Sequence, residues 1–249
     1  AIACPPELWP AVLHLADRHG VAPLLDRALA AREIEVPEAI RAQVRELRRE
    51  TALANLRKFG EFRRIARALG ERAIPMIPLK GLHLAELVYR DISLRPMVDM
   101  DVLVPRQHVA TALQALREAG YGHDADVSPA VTSLLDVRCN AGLEHGRLGL
   151  WLEVHWSIDE PPACYQEIVE EIWRSATPAR IGDAPVAAMR PELLLLHVAA
   201  HLACNHAFAF SLRALCDLAE IVRRHSEMDW SIVVDHGRRH GWHRGVPAA

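Results

Sequence analysis

The seven residues Val98-Asp99-Met100-Asp101-Val102-Leu103-Val104 constrain this chain most, because they alternate apolar and polar with a period of two between Pro96 and Pro105. A helix would scatter these side chains around its circumference, whereas a strand sorts them onto two faces. The expected strand sends Asp99 and Asp101 to one face and Val98, Met100, Val102 and Val104 to the other. A lone strand is not stable, and Leu150 to Ile158 supplies a second alternating run. There Leu150, Leu152, Val154, Trp156 and Ile158 oppose Trp151, Glu153, His155 and Ser157. With Asp136 to Glu144 it reads as a hairpin turning near Gly146, and Ile74 to Leu79, punctuated by two prolines, reads as an edge strand.

Helical periodicity surrounds these strands. Pro5 to about Ala73 repeats apolar residues every three or four positions, and a second helix opens at Pro37 and runs to Leu69. The charge alternation Arg45, Glu46, Arg48, Arg49, Glu50 reads as its solvated face. Gly81 to Tyr89 and Arg106 to Ala119 read as shorter helices, the second stopping at Gly120. From Pro191 the pattern predicts helices over Glu192 to Asn205, Ser211 to Arg224 and Trp230 to about Arg239, with a frayed end from Gly241. The fold class is therefore α+β: a small mixed sheet flanked by helices. The expected divisions are an N-terminal helical arm over 1–70, an α/β unit over 71–185 and a C-terminal helical bundle over 186–249.

A chain of 249 residues with 51% hydrophobic residues buries a core without cross-links. Its net charge of −3 gives no general attraction to nucleic acid or anionic membrane, so nucleic-acid binding is not expected and any anion must meet a local site. The five scattered cysteines form no C-x-x-C pair and read as reduced thiols. The opening residues lack a basic and apolar leader, and His197, His201, Asn205 and His206 interrupt the longest apolar stretch. These features point to a cytoplasmic protein without a membrane anchor.

Asp99 and Asp101, two apart on one strand, would have Cα atoms roughly 6 to 7 Å apart, close enough for their oxygens to share a divalent ion. Glu153 can complete a three-carboxylate site or accept a proton from an acceptor hydroxyl, and His155 on the same face can contact a phosphate or be a satisfied polar residue. Lys80 and Gly81 stand where a strand turns into a helix, a place where free N–H groups favour an anion. Arg95 can serve a triphosphate or hold its loop by pairing with a carboxylate. His197 and His201, four apart on a helix, can ligate zinc with His206 or Asp217, although packing is the commoner use of such a pair.

Taken together, Leu79-Lys80-Gly81, Tyr89-Arg90-Asp91, Leu94 through Val104 and Leu152-Glu153-Val154-His155-Trp156 resemble the uncharacterised nucleotidyltransferases of the DNA-polymerase-β-like superfamily. The match runs from about Ile74 to Ile158 and extends more weakly over Leu193 to Val222. The resemblance implies a metal-dependent enzyme that moves a nucleoside monophosphate from a nucleoside triphosphate to an acceptor hydroxyl, using Mg²⁺ or Mn²⁺. It assigns metal binding and catalysis to Asp99, Asp101 and Glu153, and nucleotide contacts to Lys80, Gly81, Arg95 and His155. The wider superfamily carries Gly-Ser or Gly-Gly at the turn, where this chain has Lys80-Gly81. That departure leaves open an alternative, a non-catalytic module of the same fold acting as a partner-holding subunit.

Overall fold

The computed structural model describes residues 4–32, 34–122, 135–205 and 212–240. His206, Ser211 and the stretch 241–249 lie outside them. Its centre is a five-stranded mixed sheet in the order β1-β2-β5-β4-β3. The strands are β1 (Ile77–Leu79), β2 (Met100–Leu103), β3 (Tyr121–Gly122), β4 (Asn140–His145) and β5 (Trp151–His155). Only β2 and β5 run parallel; their register sets Met100 opposite Leu152 and Asp101 opposite Glu153. β1 flanks β2 antiparallel, so that Leu79 is the other cross-strand partner of Asp101.

Two helical layers cover the sheet. In α3 (Glu38–Gly70), Phe59, Phe62, Ile65 and Leu69 pack with Met100, Val102, Leu152 and Val154, and with Leu113 and Leu116 of α5 (Val109–Glu118). A second core gathers Ile77, Leu79, Leu84 and Leu103 with α7 (Pro191–Ala200) and with Leu218 and Ile221 of α8 (Leu212–Arg224). Helix α7 carries Leu193 to Leu196 in succession and is buried all round, as a helix without a polar face must be. The first half of α3 instead holds α1 (Trp9–Arg18) and α2 (Ala22–Ala31) through Trp9, Leu29, Ile40 and Val44. One helix thus serves both the arm and the sheet, and the expected boundary at 70 falls at its C-terminal end.

The start of β1 is a proline-bounded edge, and α4 (Lys80–His83) begins directly at its end, continuing as a π-turn over Leu84–Val88. Between β5 and α7 the chain adds α6 (Gln166–Ser175) and a two-stranded sheet, β6 (Thr177–Ile181) with β7 (Ala184–Ala188). The amide of Ala187 donates to the Met76 carbonyl at 3.1 Å, tying this hairpin to the segment before β1. The final helix is α9 (Trp230–Arg239), capped by Asp229, whose carboxylate accepts from the Ser231 amide.

Two expectations about exposure fail. Val98 is 77% exposed, because β2 begins at Met100 and Val98 belongs to the bend before it. On α3, Arg48 is half-buried rather than on a free face: it donates to Asp26 at 3.0 Å, Asp91 at 2.8 Å and Ser93 at 2.8 Å. It therefore joins α2 and the loop before β2 to α3. Its neighbour Arg49 only pairs with Glu46 on the exposed face.

Candidate active site

A cavity of about 510 Å³ opens over the parallel strand pair, lined among others by Lys80, Gly81, Arg95, Asp99, Asp101 and Glu153. His155 lines it too, so all seven residues singled out from the sequence meet there. The convergence follows from register, since Asp101 and Glu153 are direct partners on parallel strands and their side chains leave the same face. His155 stands two residues beyond Glu153 and turns its Nε2 back between the two carboxylates, 3.0 Å from Asp101 and 3.1 Å from Glu153.

Asp101 is the centre of this arrangement, at only 2% exposure. Its Oδ1 also accepts from Lys80 Nζ at 2.8 Å, while that ammonium lies 4.0 Å from Glu153. Lys80 reaches in from a left-handed backbone, φ 38°, a conformation that costs a non-glycine residue about 1 kcal/mol. The turn after β1 therefore tolerates strain while it aims the lysine at the aspartate. The geometry corrects the expectation that both aspartates stand on an open strand face: Asp101 is buried and ion-paired, and Asp99 is half-buried in the bend before the strand.

The electrostatics separate the two aspartates. Burial raises the Asp101 pKa, but the hydrogen bond from His155 and the charge of Lys80 outweigh it and hold the carboxyl well below the usual range. Burial works against a charged His155 as well, yet its hydrogen bonds to Asp101 and Glu153 raise the imidazolium to about 10. Asp99 is pushed up by burial and by the Asp101 charge, with Lys80 opposing. Lys58, the chain's only other lysine, is buried on α3, where burial lowers its pKa and the Asp99 charge opposes the shift.

A divalent ion fits this donor set. One carboxylate oxygen each from Asp101 and Glu153 lies within 4.8 Å of the other and of the His155 ring nitrogen, which donates to both rather than ligating. Asp99 stands outside that cluster but lines the same cavity, with no cation within ion-pair distance among the described residues. A carboxylate destabilised by burial and by neighbouring negative charge is stabilised by an added cation, and carboxylate oxygens suit Mg²⁺ or Mn²⁺.

Other residues hold the site in place. Arg95 is half-buried and donates to Asp217 on α8 at 3.0 Å through one terminal nitrogen, with longer contacts from Nε. Arg95 therefore makes the carboxylate pairing, and it lines the cavity as well. Asp217 also accepts from Tyr89 at 2.9 Å, which binds the loop before β2 and the end of the π-turn to the C-terminal helices. Asn55 does the same from α3, donating to the Ile92 and Arg95 carbonyls at 2.6 and 2.9 Å. Asn140, which the sequence did not single out, donates to Glu153 at 3.1 Å from β4. Its signal was available only through pairing, because it is the register partner of His155.

His197 on α7 and His201, at the start of the π-turn that follows it, belong to no metal-ligand cluster among the described residues. His197 is 3% exposed and His201 borders the cavity, with ring centres 6.5 Å apart. Burial holds the His197 pKa well below 6.5, so it packs as a neutral ring. Among the described residues no helix is long and apolar enough to cross a membrane.

The fold has counterparts among known proteins. The fold is similar to the solution structure of the antibiotic-resistance factor ANT(2'')-Ia, with a TM-score of 0.53 at 12% identity, covering 78% of this chain and 94% of that one. It is equally similar to the crystal structure of ANT(2'')-Ia with adenylyl-2''-tobramycin, TM-score 0.53 at 13% identity, covering 75% and 98%. Among curated proteins none matches at a significant level. Residues 5–249, nearly the whole chain, match the family described as uncharacterised nucleotidyltransferases, and the protein belongs to that family.

Proposed function

We propose that the protein transfers a nucleoside monophosphate from a nucleoside triphosphate to an acceptor hydroxyl, releasing pyrophosphate. The observation that carries the reading is the in-register convergence of Asp101 and Glu153 beneath a cavity that Asp99 and Lys80 also line. Asp99, Asp101 and Glu153 would hold Mg²⁺ or Mn²⁺. When bound, the metal polarises the α-phosphate and neutralises charge on the attacking and leaving oxygens.

The chain's own residues position and balance charge. His155 fixes the Asp101 and Glu153 oxygens by hydrogen bonds and keeps two carboxylates close in a buried place. Glu153, the more exposed of the two, is the group able to take the proton of the attacking hydroxyl when it is not a metal ligand. Lys80 and the Gly81 backbone face the phosphate chain, and the Arg95–Asp217 pair holds the loop that delivers Asp99. The acceptor is a small molecule, a peptide or a protein, and the reaction is placed in the cytoplasm. ANT(2'')-Ia in complex with adenylyl-2''-tobramycin offers a small-molecule precedent on a similar fold.

The test is incubation of the full chain with each labelled nucleoside triphosphate and Mg²⁺, measuring pyrophosphate release and label transfer to a co-purified acceptor. Nucleotide-dependent release that is lost in Asp101→Asn supports the reading. Tight nucleotide binding with no release under any condition would instead favour the non-catalytic module.

A further inference from the structure

Two arginines stand at the rim of the cavity, and they are not equivalent. Arg95 is neutralised by Asp217. Arg213, the second residue of α8, has no carboxylate within ion-pair distance among the described residues; its one described hydrogen bond is a long one, 3.4 Å, to the Pro96 carbonyl. Arg95 thus has a paired carboxylate within the described residues, and Arg213 has none.

Its position is specific. Arg213 lines the cavity over Asp99 and Asp101, and it also lines a neighbouring cavity of about 600 Å³ bounded by Gly20, Asn55, Pro96 and Met97. The side chain runs along the turn between α1 and α2, where Gly20 sits at φ 65° and a Cβ would come within 3.2 Å of the guanidinium. The arm, the loop before β2 and α8 therefore meet around it. Burial and the charge of Arg95 lower its pKa, while Asp217 and Asp99 oppose the shift. A partly desolvated cation repelled by a neighbour gains from an anion more than a solvated surface arginine does.

We propose that Arg213 binds the phosphate chain of the nucleoside triphosphate, reaching from the C-terminal helices across the cavity that holds Asp99 and Asp101. The inference rests on the nucleotidyltransferase reading and assigns to Arg213 the triphosphate contact that the sequence offered to Arg95. A guanidinium with four N–H donors outside its described bond suits phosphate oxygens, which a planar fork grips in pairs.

Calorimetry on the full chain with Mg²⁺ tests it, using inorganic tripolyphosphate, the nucleoside triphosphate that supports pyrophosphate release, and the corresponding nucleoside. Arg213→Ala is expected to weaken tripolyphosphate and triphosphate binding alike, by about 10- to 100-fold, with nucleoside affinity unchanged. Arg213→Lys should recover part of the loss, and both variants should melt close to the wild type. If wild-type protein binds and turns over triphosphate and Arg213→Ala does the same with unchanged affinity, this assignment falls while the nucleotidyltransferase reading stands. Equal losses for nucleoside and triphosphate would make Arg213 a structural strut and overturn it too. Wild-type protein that binds neither triphosphate nor tripolyphosphate removes both. An unaltered triphosphate affinity combined with a raised KM for the acceptor would give the guanidinium to the acceptor instead.

Discussion

The β2–β5 strand pair and the helices α4 and α7 both bury histidine, and they treat it in opposite ways. On β5, His155 meets Asp101 and Glu153 and is held charged up to about 10. On α4, His83 is 3% exposed with its Nδ1 unpartnered, and burial lowers it to about 4, only partly offset by the Pro78 carbonyl. His197 on α7 is likewise held neutral. Burial alone removes the charge of an imidazole; burial among carboxylates keeps it. The strand pair is therefore a place where charge is concentrated and balanced, and the helices beside it are ordinary core.

The largest effect should come from breaking the balanced set. Asp101→Asn is expected to lower transfer by at least about 10²- to 10³-fold, the scale for removing one preorganised polar group, measured as pyrophosphate release. It also leaves a buried His155 and a half-buried Lys80 beside a neutral partner, which costs about 3 to 5 kcal/mol. At this chain length that lowers the melting temperature by roughly 10 °C. Asp99→Asn is expected to lose activity as well but to melt level with the wild type or above it without metal, since it relieves repulsion from Asp101. Equal melting temperatures for the two variants would show that the two aspartates are not differently buried.

Acid should act on the helices. The folded-state pKa of His83 lies below the unfolded 6.5, so the unfolded chain takes up a proton first as pH falls. Its contribution is complete above 6.5 and is lost as pH falls from 6.5 towards 4, up to about 3 kcal/mol. His155 has the opposite sign: its folded-state pKa lies above 6.5, so its contribution is complete below 6.5 and lost as pH rises through about 10. Urea unfolding at pH 8, 6 and 4.5 should show the acid loss, and His83→Leu should flatten it. An acid limb of unchanged slope in that variant would assign the loss to other groups.

Much of this comparison was legible in the sequence because it rests on alternation. The period-two runs placed Asp101, Glu153 and His155 on strands, with Asp99 falling in the bend just before one, and the break at Lys80-Gly81 marked where a helix begins. What escaped depended on partners distant in the chain. Asp101 is buried because β1, β5 and Lys80 close over it, and none of these is adjacent in sequence. Asn140 and Arg213 enter the site from β4 and α8 and carry no local signal. The β6–β7 hairpin was also missed, since Pro178 and Pro185 interrupt the runs that would reveal strands. β3, two residues long, offers no period at all.

Gly81 sharpens the comparison at a smaller scale. From the sequence it allows a close phosphate, but it also faces Met97: a Cβ there would stand 2.7 Å from the Met97 Cγ and Sδ and 3.0 Å from Arg95. Gly81→Ala should cost about 1 to 3 kcal/mol through this overpacking, read by urea unfolding. Met97→Ala in the same chain should return part of the loss, because the methionine side chain is the obstacle. Failure of the second change to help would locate the strain in the backbone.

The smallest effects compare Arg48 with Arg49, neighbours that the charge pattern of α3 presents as alike. Arg48 binds Asp26, Asp91 and Ser93, and so connects α2 and the loop before β2 to α3. Burial lowers its pKa, but the two carboxylates outweigh that and raise it. Its side chain is still 31% exposed, so water screens part of the attraction, and Arg48→Ala should cost only about 1 kcal/mol. Arg49 pairs with Glu46 one turn away, both exposed, and its replacement by alanine should leave the melting temperature unchanged. Raising the salt concentration should narrow the gap between the variants without closing it, since the Arg48 network also holds neutral hydrogen-bonding geometry through Ser93. If Arg49→Ala destabilised the protein as much as Arg48→Ala, the link from α3 to the loop that carries Asp99 would not be what distinguishes them, and the solvated-face reading would apply to both.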